Sequence, residues 1–111
     1  MLNNFEKQAL LSLGQDMYKQ ATLLDGVAVQ GAGTAVEALN YDKFQAQVAG
    51  ITTATVKIEG TVDGTNYADI SGGGKSADGI FSLIQGLYYA VRANVTAYTS
   101  GTITVKLIAK K

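Results

Sequence analysis

The 111-residue sequence contains no cysteine, no histidine, no proline and no tryptophan, and its nine basic side chains balance nine acidic ones. Each absence removes a class of function. Without cysteine there are no disulfide staples and no thiolate metal sites, and without histidine the commonest general base and transition-metal ligand is missing. Hydrolase triads and zinc sites are therefore excluded. Zero net charge with no run of like charge gives no electrostatic driver toward nucleic acid or an anionic membrane. No apolar run approaches the ~20 residues a membrane-spanning helix needs, and the opening Met-Leu-Asn-Asn-Phe-Glu-Lys lacks the basic and apolar regions of a signal peptide. The expectation is a soluble protein made in the cytoplasm without an export signal. The missing proline also leaves sheet edges to be guarded by charge, by bulges or by another subunit.

The composition is 47% apolar and 16% charged, which places the chain in the globular class as one domain able to bury roughly 65% of its unfolded surface. Near the N-terminus Phe5, Ala9, Leu10, Leu13, Met17 and Ala21 recur at spacings of three and four, the stripe of an amphipathic helix. Asn3 and Glu6 supply a capping-box-like start, while Gly14 costs about 1 kcal/mol relative to Ala. Residues 1–24 are accordingly predicted as an arm or short helix and 25–111 as the body, with the boundary near Asp25-Gly26. Two roles stand open for the stripe. It packs on its own body as a lid, or it docks on a neighbouring molecule through Leu2, Phe5, Leu10, Leu13 and Met17, the candidate partner interface.

Beyond the arm the apolar period changes to two. Phe44, Ala46 and Val48 alternate with Lys43, Gln45 and Gln47, and Ala54, Val56, Ile58 and Val62 alternate with Thr53, Thr55, Lys57 and Glu59. Tyr89, Val91, Ala93 and Val95 form a third alternating set, and Ile103, Val105, Leu107 and Ala109 a fourth. Each run predicts a strand with one dry and one wet face. Tyr98-Thr99-Ser100-Gly101 between the last two predicts a tight turn and a C-terminal hairpin. Weaker strands are predicted over 23–29, 35–39, 68–70 and 79–83. Seven or eight short strands separated by turn signals imply an all-β fold, an antiparallel β-sandwich of jelly-roll or immunoglobulin-like type, with a small closed barrel as the alternative.

Motifs that carry chemistry are weak. Ser71-Gly72-Gly73-Gly74-Lys75-Ser76 ends like a phosphate-binding loop, but the first glycine of that motif would fall at position 69, which is Asp69, and a turn follows instead of a helix. Asp63, Thr65, Asn66 and Asp69 offer oxygen ligands without the spacing of an EF-hand, and an Asx turn capping backbone amides accounts for them. Glu37, Asp42, Glu59, Asp63, Asp69 and Asp78 are not paired by any sequence pattern for glycoside hydrolysis. Of the adjacent Tyr88 and Tyr89 only one can face the core. No catalytic residue, cofactor or metal is expected, and the protein is read as a non-enzyme.

Taken together, Gly31-Ala32-Gly33-Thr34-Ala35-Val36, Thr55-Val56-Lys57-Ile58-Glu59-Gly60, Asp63-Gly64-Thr65-Asn66-Tyr67, Tyr89-Ala90-Val91-Arg92-Ala93 and the segment from Thr96 to Val105 resemble the small β-sandwich structural proteins of tailed bacteriophages, in particular the head decoration or cement class. The likeness covers about residues 25–109. Thr61 stands where that class usually has Ser, and Tyr67 where it has Trp. The resemblance implies a virion protein on the capsid surface that binds the major capsid protein lattice, self-associates as a dimer or trimer, and uses neither nucleic acid nor membrane. A carbohydrate-binding or host-adhesion module and a tail or fibre subunit are the other readings.

Overall fold

The computed structural model describes residues 18–111, and all regular structure within them is β. Eight strands follow in chain order: β1 (Tyr18–Val27), β2 (Gly31–Ala32), β3 (Val36–Glu37), β4 (Lys43–Thr61), β5 (Ala68–Asp69), β6 (Gly79–Ile80), β7 (Ile84–Gln85) and β8 (Ala90–Lys110). The two long strands, β4 and β8, pair antiparallel from Lys43↔Lys110 to Thr61↔Ala90. β1, β2 and β3 follow one another along the outer edge of β8, and β7, β6 and β5 line the outer edge of β4.

This ribbon is folded double. Glu37 pairs with Ala90 and Lys43 with Lys110, so the chain crosses from one end of β8 to the other in six Cα steps, at most about 21 Å. A straight strand as long as β8 would hold those ends about 65 Å apart. The far side gives the same result: Gln85 pairs with Lys43, yet the Tyr89 amide already donates to Thr61 O at 2.7 Å. Tyr88 spans the closure, its ring 5.9 Å from that of Phe44 at the start of β4 and close enough to Gly60 at the end that any side chain there would strike it at 2.8 Å. The result is an antiparallel sandwich whose two layers share both central strands.

The fold-over lies at Gly50 and Gly101, which face each other in the ladder's most irregular stretch, between Ala49 and Ala54. Gly50 has φ +88° and Gly101 φ +127°. The carboxylate of Asp78 fastens the bend, accepting from Gly50 N at 3.2 Å and Ile51 N at 2.8 Å. Inside, one core receives both halves: Phe44, Val48, Ile103 and Val105 from the first layer, and Val56, Ile58, Val91 and Val95 from the second, all at 0–1% exposure. Apart from Val62 and Tyr89, the period-two faces read in the sequence are the buried faces.

Several expectations are corrected. The C-terminal hairpin does not form; Ala97, Tyr98, Ser100 and Gly101 pair with Thr55, Ala54, Thr53 and Ile51 inside one continuous strand. Tyr98 Oη donates to Gly101 O at 2.8 Å, so the small residues there make a bend, and an unbroken partner strand satisfies amides that a turn would expose. Residues 18–24, placed in the arm by the helical stripe, belong to β1, because the 103–110 stretch of β8 offers them an open edge. A bulge in β1 puts both Leu23 and Leu24 in the core. Thr61, not Val62, is buried, and Tyr88, not Tyr89, packs on the core. β2 and β7 were not anticipated.

Candidate interaction surface

At the end of the sandwich opposite the bend, three connections meet: residues 38–42, 61–67 and 85–89. Their backbones hold one another. Ala38 N donates to Tyr89 O at 2.9 Å, Tyr89 N to Thr61 O at 2.7 Å, Gly86 N to Asp42 O at 2.9 Å and Asp42 N to Lys110 O at 3.1 Å.

The 61–67 connection is built by side chains acting on backbone. Asp63 Oδ1 accepts from Thr65 N and Asn66 N, each at 2.8 Å, and from Thr61 Oγ1 at 2.8 Å, while Oδ2 takes the Asn66 amide at 2.8 Å. This is the Asx turn expected of those residues. Donation from the Asn66 and Thr65 backbones, then from the Asn66 and Thr61 side chains, holds the Asp63 carboxyl well below the usual carboxylate range. The buried Thr61 hydroxyl also accepts from Asp63 N and Gly64 N, at 3.3 and 3.1 Å. Anchoring Thr61 inward turns the next side chain outward, and Val62 is 78% exposed.

The same anchoring leaves further apolar side chains outside. Leu87, next to the tethered Gly86, is 75% exposed; Leu39 is 54% and Tyr89 50% exposed, with the Tyr89 ring lying against Gly64. Isolated exposed apolar residues are ordinary. Four on mutually hydrogen-bonded connections are gathered at one end of the sandwich, and we call them the apolar rim. Because its backbone is already ordered, binding through it costs little conformational entropy.

Elsewhere, polar groups are spent on structure. On the outer face of the second layer Glu59 accepts from Arg92 Nε at 2.9 Å and Asn94 Nδ2 at 3.1 Å, and the Arg92 guanidinium lies 3.9 Å from the centre of the Tyr67 ring. The aromatic closing the Asp-Gly-Thr-Asn-Tyr stretch thus stacks on an arginine. In the glycine loop the Asp69 carboxylate takes the Ser71 and Gly73 amides, each at 2.8 Å. An internal anion therefore occupies the place a phosphate would need. Partial burial raises the Asp69 pKa, but hydrogen bonds from Ser71 and Gly73 and the nearby Lys57 outweigh it and the net shift is downward. Of the six carboxylates weighed as acid–base pairs, Glu59, Asp63, Asp69 and Asp78 hold the donors named above and Asp42 pairs with Lys43 at 3.2 Å.

No protein-family model and no curated protein matches the chain. Solved structures do. The SPBc2 prophage-derived protein YomS superposes with a TM-score of 0.72 at 15% identity, covering 85% of this chain and 93% of that one. The chain has the YomS fold. The PBSX exported protein XepA aligns with a TM-score of 0.60 at 16% identity, again over 85% of this chain but only 38% of the larger protein. YomS is thus matched nearly end to end, and XepA carries the same fold as one part of a longer chain. The β-sandwich inferred from periodicity is the fold these two proteins share.

Leu2, Phe5, Leu10, Leu13 and Met17, the contact residues expected from the sequence, lie outside the described residues. Of the rim residues, Leu39, Val62 and Leu87 were not singled out, and Tyr89 was weighed only with Tyr88, as the pair whose exposed member either serves as an interface anchor or is an ordinary solvent-facing strand tyrosine. Val62 and Tyr89 were assigned to alternating core faces, and the one signal against this was their place beside turn-forming residues, Asp63-Gly64 after Val62 and Gly86 shortly before Tyr89.

Proposed function

We propose that the chain is a structural protein of a tailed bacteriophage, which attaches to the outside of the assembled head and stabilises the lattice of the major capsid protein. The reading rests on one observation above the others: the rigid apolar rim of Leu39, Val62, Leu87 and Tyr89 at the open end of the sandwich. The fold held in common with a prophage-derived protein along most of both chains supports it. Work is done by attachment and not by catalysis. A protein that binds the expanded lattice and not its precursor stabilises the expanded state by mass action, about 2.7 kcal/mol per site at a free concentration one hundred times Kd. Repeated over a shell, modest gains of this kind raise the threshold for disruption.

Co-sedimentation with expanded, genome-free heads tests the proposal, with a solution mass measurement to read dimer or trimer formation and a glycan array as control. Saturable binding to heads without glycan binding is the expected result. Leu87→Ser and Val62→Ser, both far out in solvent, should leave urea stability within about 0.5 kcal/mol and weaken head binding at least tenfold, about 1.4 kcal/mol. Failure of the wild-type protein to bind heads refutes the reading and transfers it to a tail or fibre subunit, or to a host-adhesion module if glycans bind.

A further inference from the structure

Three aspartates stand directly before a glycine: Asp25-Gly26, Asp63-Gly64 and Asp78-Gly79. Such a pair is chemically self-reactive, because with no Cβ on the second residue little keeps its amide nitrogen from the neighbouring carboxyl carbon. The fold restrains two of the three. At Asp63 both carboxylate oxygens are engaged, Oδ1 by the Thr65 and Asn66 amides and Oδ2 by Asn66 Nδ2, and the Gly64 amide donates to Thr61 Oγ1 at 3.1 Å. At Asp78 Oδ2 accepts from Gly50 N and Oδ1 from Ile51 N, while Gly79 pairs with Val48 in the ladder. Each carboxylate is thus held by donors other than the glycine that follows it.

Asp25-Gly26 is built differently. The register of β1 on β8 passes from Leu24↔Val105 to Val27↔Ile103, so these two residues stand opposite the single Thr104 and have no ladder partner of their own. This is a β-bulge, and Gly26 at φ +64° has the left-handed backbone such a bulge uses. Both residues are exposed. Among the described residues no donor and no cation holds the Asp25 carboxylate. The Gly26 amide donates to Thr104 Oγ1 at 3.1 Å, a hydroxyl free to rotate. Swinging the carboxyl onto this amide therefore breaks no ladder bond.

We propose that Asp25-Gly26 is a site of spontaneous aspartate isomerisation in the folded protein. The Gly26 nitrogen attacks Cγ of the protonated Asp25 carboxyl; the N–Cγ bond forms, the Cγ–OH bond breaks, and the amide proton leaves with the hydroxyl as one water. The resulting succinimide takes a water back. Cleavage between nitrogen and Cγ restores aspartate, whereas cleavage between nitrogen and the α-carbonyl carbon leaves the chain running through Cγ, with a free carboxylate on Cα. Mass is unchanged, and no oxidant or co-reactant beyond water is needed. The isoaspartate so formed adds one main-chain atom where the ladder already skips a residue, so pairing on either side survives and the product accumulates on folded protein. The site lies beside Thr102, next to the bend and away from the rim, and the proposal does not rest on the capsid reading.

Trypsin places the three pairs in separate peptides, 20–43, 58–75 and 76–92. Full-length protein is held at neutral pH below its unfolding midpoint, sampled over weeks and digested, and each peptide is read by chromatography with electron-transfer fragmentation, which tells isoaspartate from aspartate at equal mass. The expected result is isoaspartate at position 25 accumulating several-fold faster than at 63 or 78, with the circular dichroism spectrum unchanged. A sample held in urea is the control, and with the fold gone the three rates should converge. Asp25→Glu, which would have to close a larger ring, should clear the signal from peptide 20–43. Equal rates at the three sites in folded protein, a faster rate at 63 or 78, or the same ranking in urea overturn the proposal. So does a folded sample without isoaspartate at 25 when the urea sample already shows it at all three.

Discussion

Gly50→Ala concentrates the architecture into one methyl group. A Cβ at position 50 would sit 1.7 Å from Thr102 O and 2.8 Å from its carbonyl carbon, at φ +88°. Two costs combine. Holding an L-residue at positive φ costs about 1–2 kcal/mol, and relieving an overlap with backbone, which unlike a side chain cannot rotate away, adds about 1–3 kcal/mol. The expected loss is about 3 kcal/mol, a large share of the 5–15 kcal/mol typical of small domains. With a urea m-value near 1.5 kcal/mol/M, the midpoint should fall by about 2 M. Gly72→Ala is the matched control. Gly72 has φ +75° but meets nothing within 4 Å, so it should show only the conformational cost, about 1 kcal/mol. Equal midpoints for the two variants, or a Gly50→Ala loss below about 0.5 kcal/mol, would refute the idea that the ribbon is closed by backbone contact at this bend.

Asp78→Ala removes both bonds to the bend and should cost about 1–2 kcal/mol in urea unfolding, with a smaller loss when introduced into Gly50→Ala, because both changes act on one feature. Arg92→Lys keeps the charge but loses the planar stack on Tyr67; a double-mutant cycle with Tyr67→Ala should give a coupling of about 0.5–1 kcal/mol. Since the Asp63 carboxyl is held below its ordinary pKa of 3.8 in the folded protein, its contribution is complete above that value and is lost as pH falls through the lower folded one. Acid titrations followed by circular dichroism should therefore show a flatter stability profile below pH ~4 for Asp63→Ala than for the wild type.

Most of the core was legible in the sequence because it follows from a local rule. Phe44, Ala46 and Val48, Ala54, Val56 and Ile58, and Ile103 through Ala109 alternate with polar neighbours, and a half-buried strand requires that pattern. Tyr98 to Gly101 was misread because small residues at a turn and at a bend obey the same local preference. What separates them is a partner strand some fifty residues upstream, which no window of sequence contains. Val62 and Tyr89 failed for a related reason: the phase of alternation is reset where the Thr61 hydroxyl and the Tyr89 amide are anchored. The rim itself was illegible. Leu87 belongs to no predicted element and Leu39 only closes the weak strand predicted over 35–39, and they are brought to one end by hydrogen bonds between connections far apart in the chain.

The position of β8 has a consequence for how the molecule comes into being. Its one edge receives β1, β2 and β3, and its other receives β4, yet it is the last strand in chain order. A nascent chain that has reached Gln85 already contains three strands without their partner and the long, apolar β4 with one edge open. Nearly all pairing must wait for the final stretch and then span large sequence separations, the regime in which β-proteins fold in milliseconds to seconds and aggregation competes. The rate at which residues 90–110 are made, and the company the unfinished chain keeps meanwhile, should govern the yield of soluble protein more than any single contact in the finished fold.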